Sequence, residues 1–114
     1  MADCIFCKIA NKEIPAQVIY EDEQVLAFND INAVAPTHIL VIPKKHISDM
    51  NSVEEIDLPL IGHIFKIIKN VAKEKGIDKE GYRIVNNCGE LGGQTVGHIH
   101  FHLLGQRQMK WPPG

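Results

Sequence analysis

Three histidines stand two residues apart in His98-Ile99-His100-Phe101-His102. In an extended strand such residues point to one side, so the imidazoles share a face while Ile99, Phe101 and Leu103 share the other. Neighbouring imidazoles repel when protonated, so three in register require partners or neutral forms. Two chemistries suit them: His-x-His as metal ligands, or imidazoles engaging an anion with one acting as nucleophile. The stretch before them, Cys88-Gly89-Glu90-Leu91-Gly92-Gly93-Gln94-Thr95-Val96-Gly97, bears on the choice. Its glycines let backbone N–H groups approach a phosphate closely, and Gln94 and Thr95 add side-chain donors, which favours a phosphate site.

A second constellation lies near the other end. Cys4-Ile5-Phe6-Cys7 is a Cys-x2-Cys unit, half of a structural zinc site, and two further ligands must come from elsewhere. The chain has three cysteines, an odd set without a secretory context, so the thiols are expected to be reduced and Cys88 receives no role.

The elements that must position these groups are legible from periodicity and punctuation. Asp3 to Ala10 is expected as a short helix capped by Asp3. Val18-Ile19-Tyr20 and Val25-Leu26-Ala27-Phe28, divided by Glu21-Asp22-Glu23, predict a hairpin, and His38 to Ile42 a third strand bounded by Pro36 and Pro43. From Asp57 to Lys75 the period changes: Ile61, Ile64, Phe65, Ile68, Val71 and Ala72 share one helical face. Asp57 is the expected N-cap, Pro59 sits in the first turn, and Gly76 ends the helix. Lys66, Lys69 and Lys73 on its opposite face form a solvated surface. Tyr82 to Asn86 and His98 to Leu104 complete five strands. The expected fold is α+β, a five-stranded antiparallel sheet with one long and one short helix, the long one covering Ile99, Phe101 and Leu103.

Composition limits the function classes. A chain of 114 residues suits a single domain over 1–114, and 45% apolar with 23% charged residues is the balance of a globular protein. With a net charge of −2 there is no basic field to hold a nucleic acid polymer, and no apolar run is long enough for a membrane span. A cytoplasmic location is expected from the absence of a secretory signal.

The motif His98-Ile99-His100-Phe101-His102-Leu103-Leu104 resembles that of the histidine triad (HIT) family, most closely its nucleotide-binding branch of purine nucleoside phosphoramidases. The resemblance extends over Phe28-Asn29-Asp30-Ile31, Ala35-Pro36-Thr37-His38, Val41-Ile42-Pro43-Lys44-Lys45-His46, Gly92-Gly93-Gln94-Thr95 and Trp111-Pro112-Pro113-Gly114. It implies a hydrolase of nucleoside 5′-phosphoramidates and adenylates, with a covalent nucleotidyl intermediate on His100. His102 would bind phosphate, and His38 would stand behind His100 as an orienting or relay partner. Asn87, Gln94 and Thr95 would contact phosphate and leaving group, Thr95 standing where the family more often has serine. Asp30 would accept hydrogen bonds from ribose, for which two carboxylate oxygens are suited. Phe28, Ile31 and Leu40, with Phe6 nearby, would line the base pocket.

The resemblance further implies a homodimer whose sheets join into one of ten strands, with Trp111 at the interface shaping leaving-group preference. It supplies His46 and His98 as partners of Cys4 and Cys7, a closed four-ligand set in which zinc would be structural. A catalytic zinc with bound water, and a nucleotide-binding module without physiological turnover, are the competing readings. Nothing in the apolar base pocket distinguishes adenine from guanine.

Overall fold

The structure, a computed structural model, describes residues 3–114. Its first element is helix α1 (Ile5–Ala10). Cys4 rather than Asp3 occupies the N-cap, with its Sγ accepting the Cys7 N–H at 3.3 Å. The thiol thereby caps the helix and faces the site that the pair serves.

Strands β1 (Val18–Glu21) and β2 (Val25–Asn29) form the expected hairpin. Its turn is organised by Asp22, whose Oδ1 accepts the Gln24 and Val25 N–H groups, both at 2.8 Å. The other carboxylate oxygen accepts from Tyr20 Oη at 2.8 Å and His63 Nε2 at 2.6 Å, pinning the hairpin to the long helix. Burial acts to raise the Asp22 pKa, but hydrogen bonds from His63, Gln24, Tyr20 and Val25 outweigh it and hold the carboxyl well below the usual carboxylate range.

Strand β3 (Thr37–Pro43) pairs with β2 and with β5 (Phe101–Gly105), and β4 (Tyr82–Val85) lies outside β5. The order is β1-β2-β3-β5-β4, antiparallel throughout. Helix α2 (Leu58–Glu74) follows two 3-10 turns, Met50–Ser52 and Glu55–Asp57. Asp57 holds the N-cap position but its side chain does not cap α2. It turns back to accept the Glu54 N–H at 3.0 Å and to pair with Lys45 Nζ at 2.5 Å. Gly76, at φ 75°, takes the left-handed conformation that stops the helix, and Ile77 N–H closes the end on Ala72 O at 3.0 Å.

The last strand begins at Phe101, three residues later than expected. The register pairs Val41 with Phe101, which would set Pro43 opposite Ile99, and proline has no N–H for that rung. Ile99 instead donates to Ile47 O at 2.6 Å. The triad therefore straddles the end of the ladder, with only His102 inside it.

Alternation divides the core between the two faces of the sheet. Val25, Ala27, Ile39, Val41, Phe101 and Leu103 pack beneath α2 against Ile64, Ile68 and Val71. Leu26, Phe28, Leu40 and Ile42 pack on the opposite face with Phe6 and Ile9 of α1. Across that second face the register aligns Phe28, Leu40 and His102 in one row, carrying the site.

Asp22→Ala removes the acceptor of four hydrogen bonds and should destabilise the fold by about 2 kcal/mol. Urea unfolding measures this; a change within about 0.5 kcal/mol would show that the pin adds nothing.

Candidate active site

The α1 face of the sheet is incompletely covered, because α1 has only six residues. The opening is a cavity of about 370 Å³, within the range of small-molecule sites. Phe6, Phe28, Leu40 and Val96 supply apolar wall, while Asp30, His100 and His102 bring polar groups.

Hydrogen bonds fix which ring nitrogen of each histidine is free. Val34 N–H donates to His38 Nδ1 at 3.1 Å, so the proton of neutral His38 is on Nε2. Nε2 donates to His102 Nδ1 at 2.8 Å and lies 3.3 Å from Asp30 Oδ2. His102, accepting at Nδ1, then carries its proton on Nε2. His100 donates from Nδ1 to the carbonyl of His98 at 2.8 Å, which leaves a lone pair on its Nε2. Asn86 Nδ2 holds the His100 carbonyl at 2.9 Å.

The neutral states fit the burial. Burial pushes His102 down to about 4, helped by the charges of His100 and His38 and opposed by Asp30. Burial also lowers His38, against the attraction of Asp30. The hydrogen bonds thus place an acceptor nitrogen, His100 Nε2, beside an N–H donor at His102.

His98 faces elsewhere. Its ring, at 0% exposure, donates from Nε2 to Pro43 O at 2.9 Å, leaving Nδ1 bare. Nδ1 lies 3.3 Å from Cys4 Sγ, 3.6 Å from Cys7 Sγ and 3.2 Å from His46 Nδ1, while Cys7 Sγ and His46 Nδ1 are 3.4 Å apart. Around a tetrahedral zinc, bond lengths of about 2.0–2.1 Å to nitrogen and 2.3 Å to sulfur imply separations of roughly 3.3 Å (N to N) and 3.6 Å (S to N). The four donors therefore fit zinc in chemistry and in spacing, and the Pro43 carbonyl selects the tautomer a ligand needs. Burial and the hydrogen bond with Cys4 push the Cys7 thiol up to about 11, so loading the site releases protons. Asp30, His38 and His102 also lie close enough to one another to hold an ion, yet there the single His38 proton already occupies Nε2.

Several expected residues sit differently. His38 touches His102 and Asp30, not the far side of His100. Gln94 and Asn87 line no part of the cavity and organise their own loop: Gln94 Oε1 accepts Gly89 N–H at 2.9 Å, its Nε2 donates to Ser48 O and Val96 O, and Asn87 donates to Gly92 O at 2.7 Å. In that tight loop a Cβ on Gly92 would fall 2.3 Å from the Cys88 carbonyl. Thr95 is exposed at the cavity rim, and Ile31 borders the mouth while 94% exposed. Trp111 is 83% exposed and away from the cavity. Asn86, the Val34 N–H and the Pro43 carbonyl were not foreseen; backbone partners leave no residue-type signal, and Asn86 reads only as a polar strand end.

Comparison with known proteins agrees with this geometry. Residues 11–109 match the HIT domain, and the chain belongs to the HIT family. It is 54% identical over 112 residues to a 14 kDa zinc-binding protein from Zea mays, covering 96% of this chain and 87% of that one. A HIT family hydrolase from Legionella pneumophila superposes with a TM-score of 0.97 at 54% identity, over 98% of this chain and 100% of that one. A histidine triad protein from Clostridium difficile gives 0.94 at 51% identity, over 96% of each.

Two outcomes follow. Because His102 in the folded chain titrates near 4 rather than at the ordinary 6.5, the unfolded chain binds a proton that the native one refuses between those values. The His102 contribution should be constant above pH 6.5 and decline toward pH 4, and His102→Asn should flatten that part of the slope in urea titrations. For the metal, elemental analysis should find one zinc per chain, with Cys4→Ser losing it and melting at lower temperature; an unchanged zinc content would exclude this donor set.

Proposed function

We propose that the protein hydrolyses nucleoside 5′-phosphoramidates and acyl-adenylates through a nucleotidyl-His100 intermediate. The observation that carries this is the hydrogen bond from His100 Nδ1 to the His98 carbonyl, because it leaves a bare Nε2 on a buried ring that lines the cavity. Nε2 attacks the α-phosphorus and the P–N or P–O bond to the leaving group breaks; an amine takes its proton from a water at the open rim, and the proton lost by the water that attacks in the second step restores the balance. Water then attacks the phosphorus of the adduct, restoring neutral His100 and releasing the nucleoside monophosphate. One difficult displacement becomes two easier ones.

The remaining residues divide the work. His102 Nε2–H donates to a phosphate oxygen as charge develops, held in that tautomer by His38. Asp30 has one oxygen on the Asn32 N–H at 2.8 Å and keeps further lone pairs for ribose hydroxyls. Phe6, Phe28 and Leu40 offer an apolar slot suited to a purine, and Ile31 borders its mouth. The Thr95 hydroxyl sits at the rim on the leaving-group side, and movement of the glycine loop would bring Gln94 and Asn87 to phosphate. Zinc at Cys4, Cys7, His46 and His98 organises structure and takes no part in the chemistry.

Residues 1–114 are read as one domain acting as a homodimer in the cytoplasm. Strand β4 is an open sheet edge carrying half-exposed Tyr82 and Ile84, which suits pairing with a second copy into ten strands, and Trp111 follows Lys110, whose carbonyl accepts from Arg83 of β4 at 2.9 Å. Among the described residues no helix is long and apolar enough to cross a membrane.

Rapid quenching with an adenosine phosphoramidate bearing a poor leaving group should show the added mass of one nucleotidyl group, on the peptide containing His100. His100→Asn should abolish the adduct and lower turnover on the order of 10⁴-fold. An undiminished adduct in that variant would overturn the assignment.

A further inference from the structure

The metal site and the nucleophile share a residue of backbone. His98 directs its ring into the cysteine cluster and offers its carbonyl to His100 Nδ1 at 2.8 Å. The ring is held from both nitrogens, with Nδ1 at the cluster and Nε2 on the Pro43 carbonyl. No β-ladder supports this stretch, since β5 begins only at Phe101. The carbonyl that sets the His100 tautomer therefore depends on the anchoring of the His98 side chain, together with the Ile99 bond to Ile47 and the Asn86 bond to the His100 carbonyl.

A second connection runs through α1. Phe6 lies between the two cysteines in sequence and packs edge-on against His100, with ring centroids 5.1 Å apart, against His98 at 5.9 Å and against Phe28 at 5.8 Å. Six residues do not make a stable helix alone, so the cluster that ties Cys4 and Cys7 to His46 and His98 also holds this wall against the nucleophile.

We propose that His98 is a positioning residue through which metal occupancy holds the His100 ring in its Nδ1–H tautomer, making turnover depend on a metal that never meets the substrate. The inference about turnover rests on His100 being the nucleophile; the inference about the tautomer does not. Without the anchored carbonyl, His100 can place its proton on Nε2, and a protonated Nε2 has no lone pair with which to attack phosphorus.

Long-range proton–nitrogen spectra of the imidazoles, recorded on the full ¹⁵N-labelled chain, read the tautomer directly. With one zinc bound, His100 should appear as the Nδ1–H form alone. Chelation should add the Nε2–H form and lower kcat for a phosphoramidate about tenfold, with a smaller change in KM, and zinc should restore both. A metal-free chain that stays folded by circular dichroism yet keeps the pure Nδ1–H signal would overturn the proposal. Should chelation unfold the chain, Cys4→Asp keeps four donors in a weaker site, so the spectra can be followed across a zinc titration. A His100 signal that ignores occupancy there would overturn the proposal equally. A tautomer that follows zinc while turnover does not would uphold the tether and overturn the nucleophile assignment.

Discussion

The structure depends on a sheet that is apolar on both faces but unequally covered. The 17 residues of α2 cover the centre of one face. On the other, the six residues of α1 reach only part of the row from Phe28 through Leu40 to His102. The area left open cannot be solvated cheaply, and it becomes the cavity. The reactive groups are where they are because the same row carries a histidine at its end.

Within that cavity, specificity of function comes from directed hydrogen bonds rather than from charge. Each histidine has one nitrogen claimed by a backbone group or a neighbouring ring, and the claim decides what the other nitrogen can do. Val34 sets His38, His38 sets His102, His98 sets His100 and Pro43 sets His98. Three imidazoles of identical chemistry thereby acquire three capacities: a donor, a lone pair and a metal ligand. The buried environment keeps His38 and His102 neutral, so the arrangement does not collapse through mutual repulsion.

Much of this was legible beforehand. The alternation in β2 and β3, the helical period from Ile61 to Ala72 and the Gly76 stop located the elements within a few residues, and the triad with Cys-x2-Cys located the chemistry. The failures have physical causes in common. Asp3 and Asp57 are strong caps by residue type, yet the neighbouring Cys4 thiol caps the first helix, and the Asp57 carboxylate, though at the N-cap position, turns to Lys45 and the Glu54 N–H. The early start assumed for the last strand ignored its neighbour across the ladder, where Pro43 cannot donate. Gln94 and Asn87 carry amides fit for a phosphate, and here those amides bond within the glycine-rich loop, a use that residue type alone does not announce. His38 meets His102 rather than His100, because strand register, and not spacing, decides which of two histidines it touches.

The cysteine cluster has one more consequence, for the chain before it folds. Cys4 and His98 are 94 positions apart, so an ion gripping both closes most of the polypeptide into a loop. Closure entropy grows slowly with length, and joining such distant positions restricts the unfolded ensemble about as strongly as any single link in this chain could. Cys4 and Cys7 sit at the N-terminal end of α1 while His98 lies just before β5, so the link joins elements from opposite ends of the fold. Folding order is constrained accordingly: the clip can close only after His98 is in place, and His100 and His102 follow it directly.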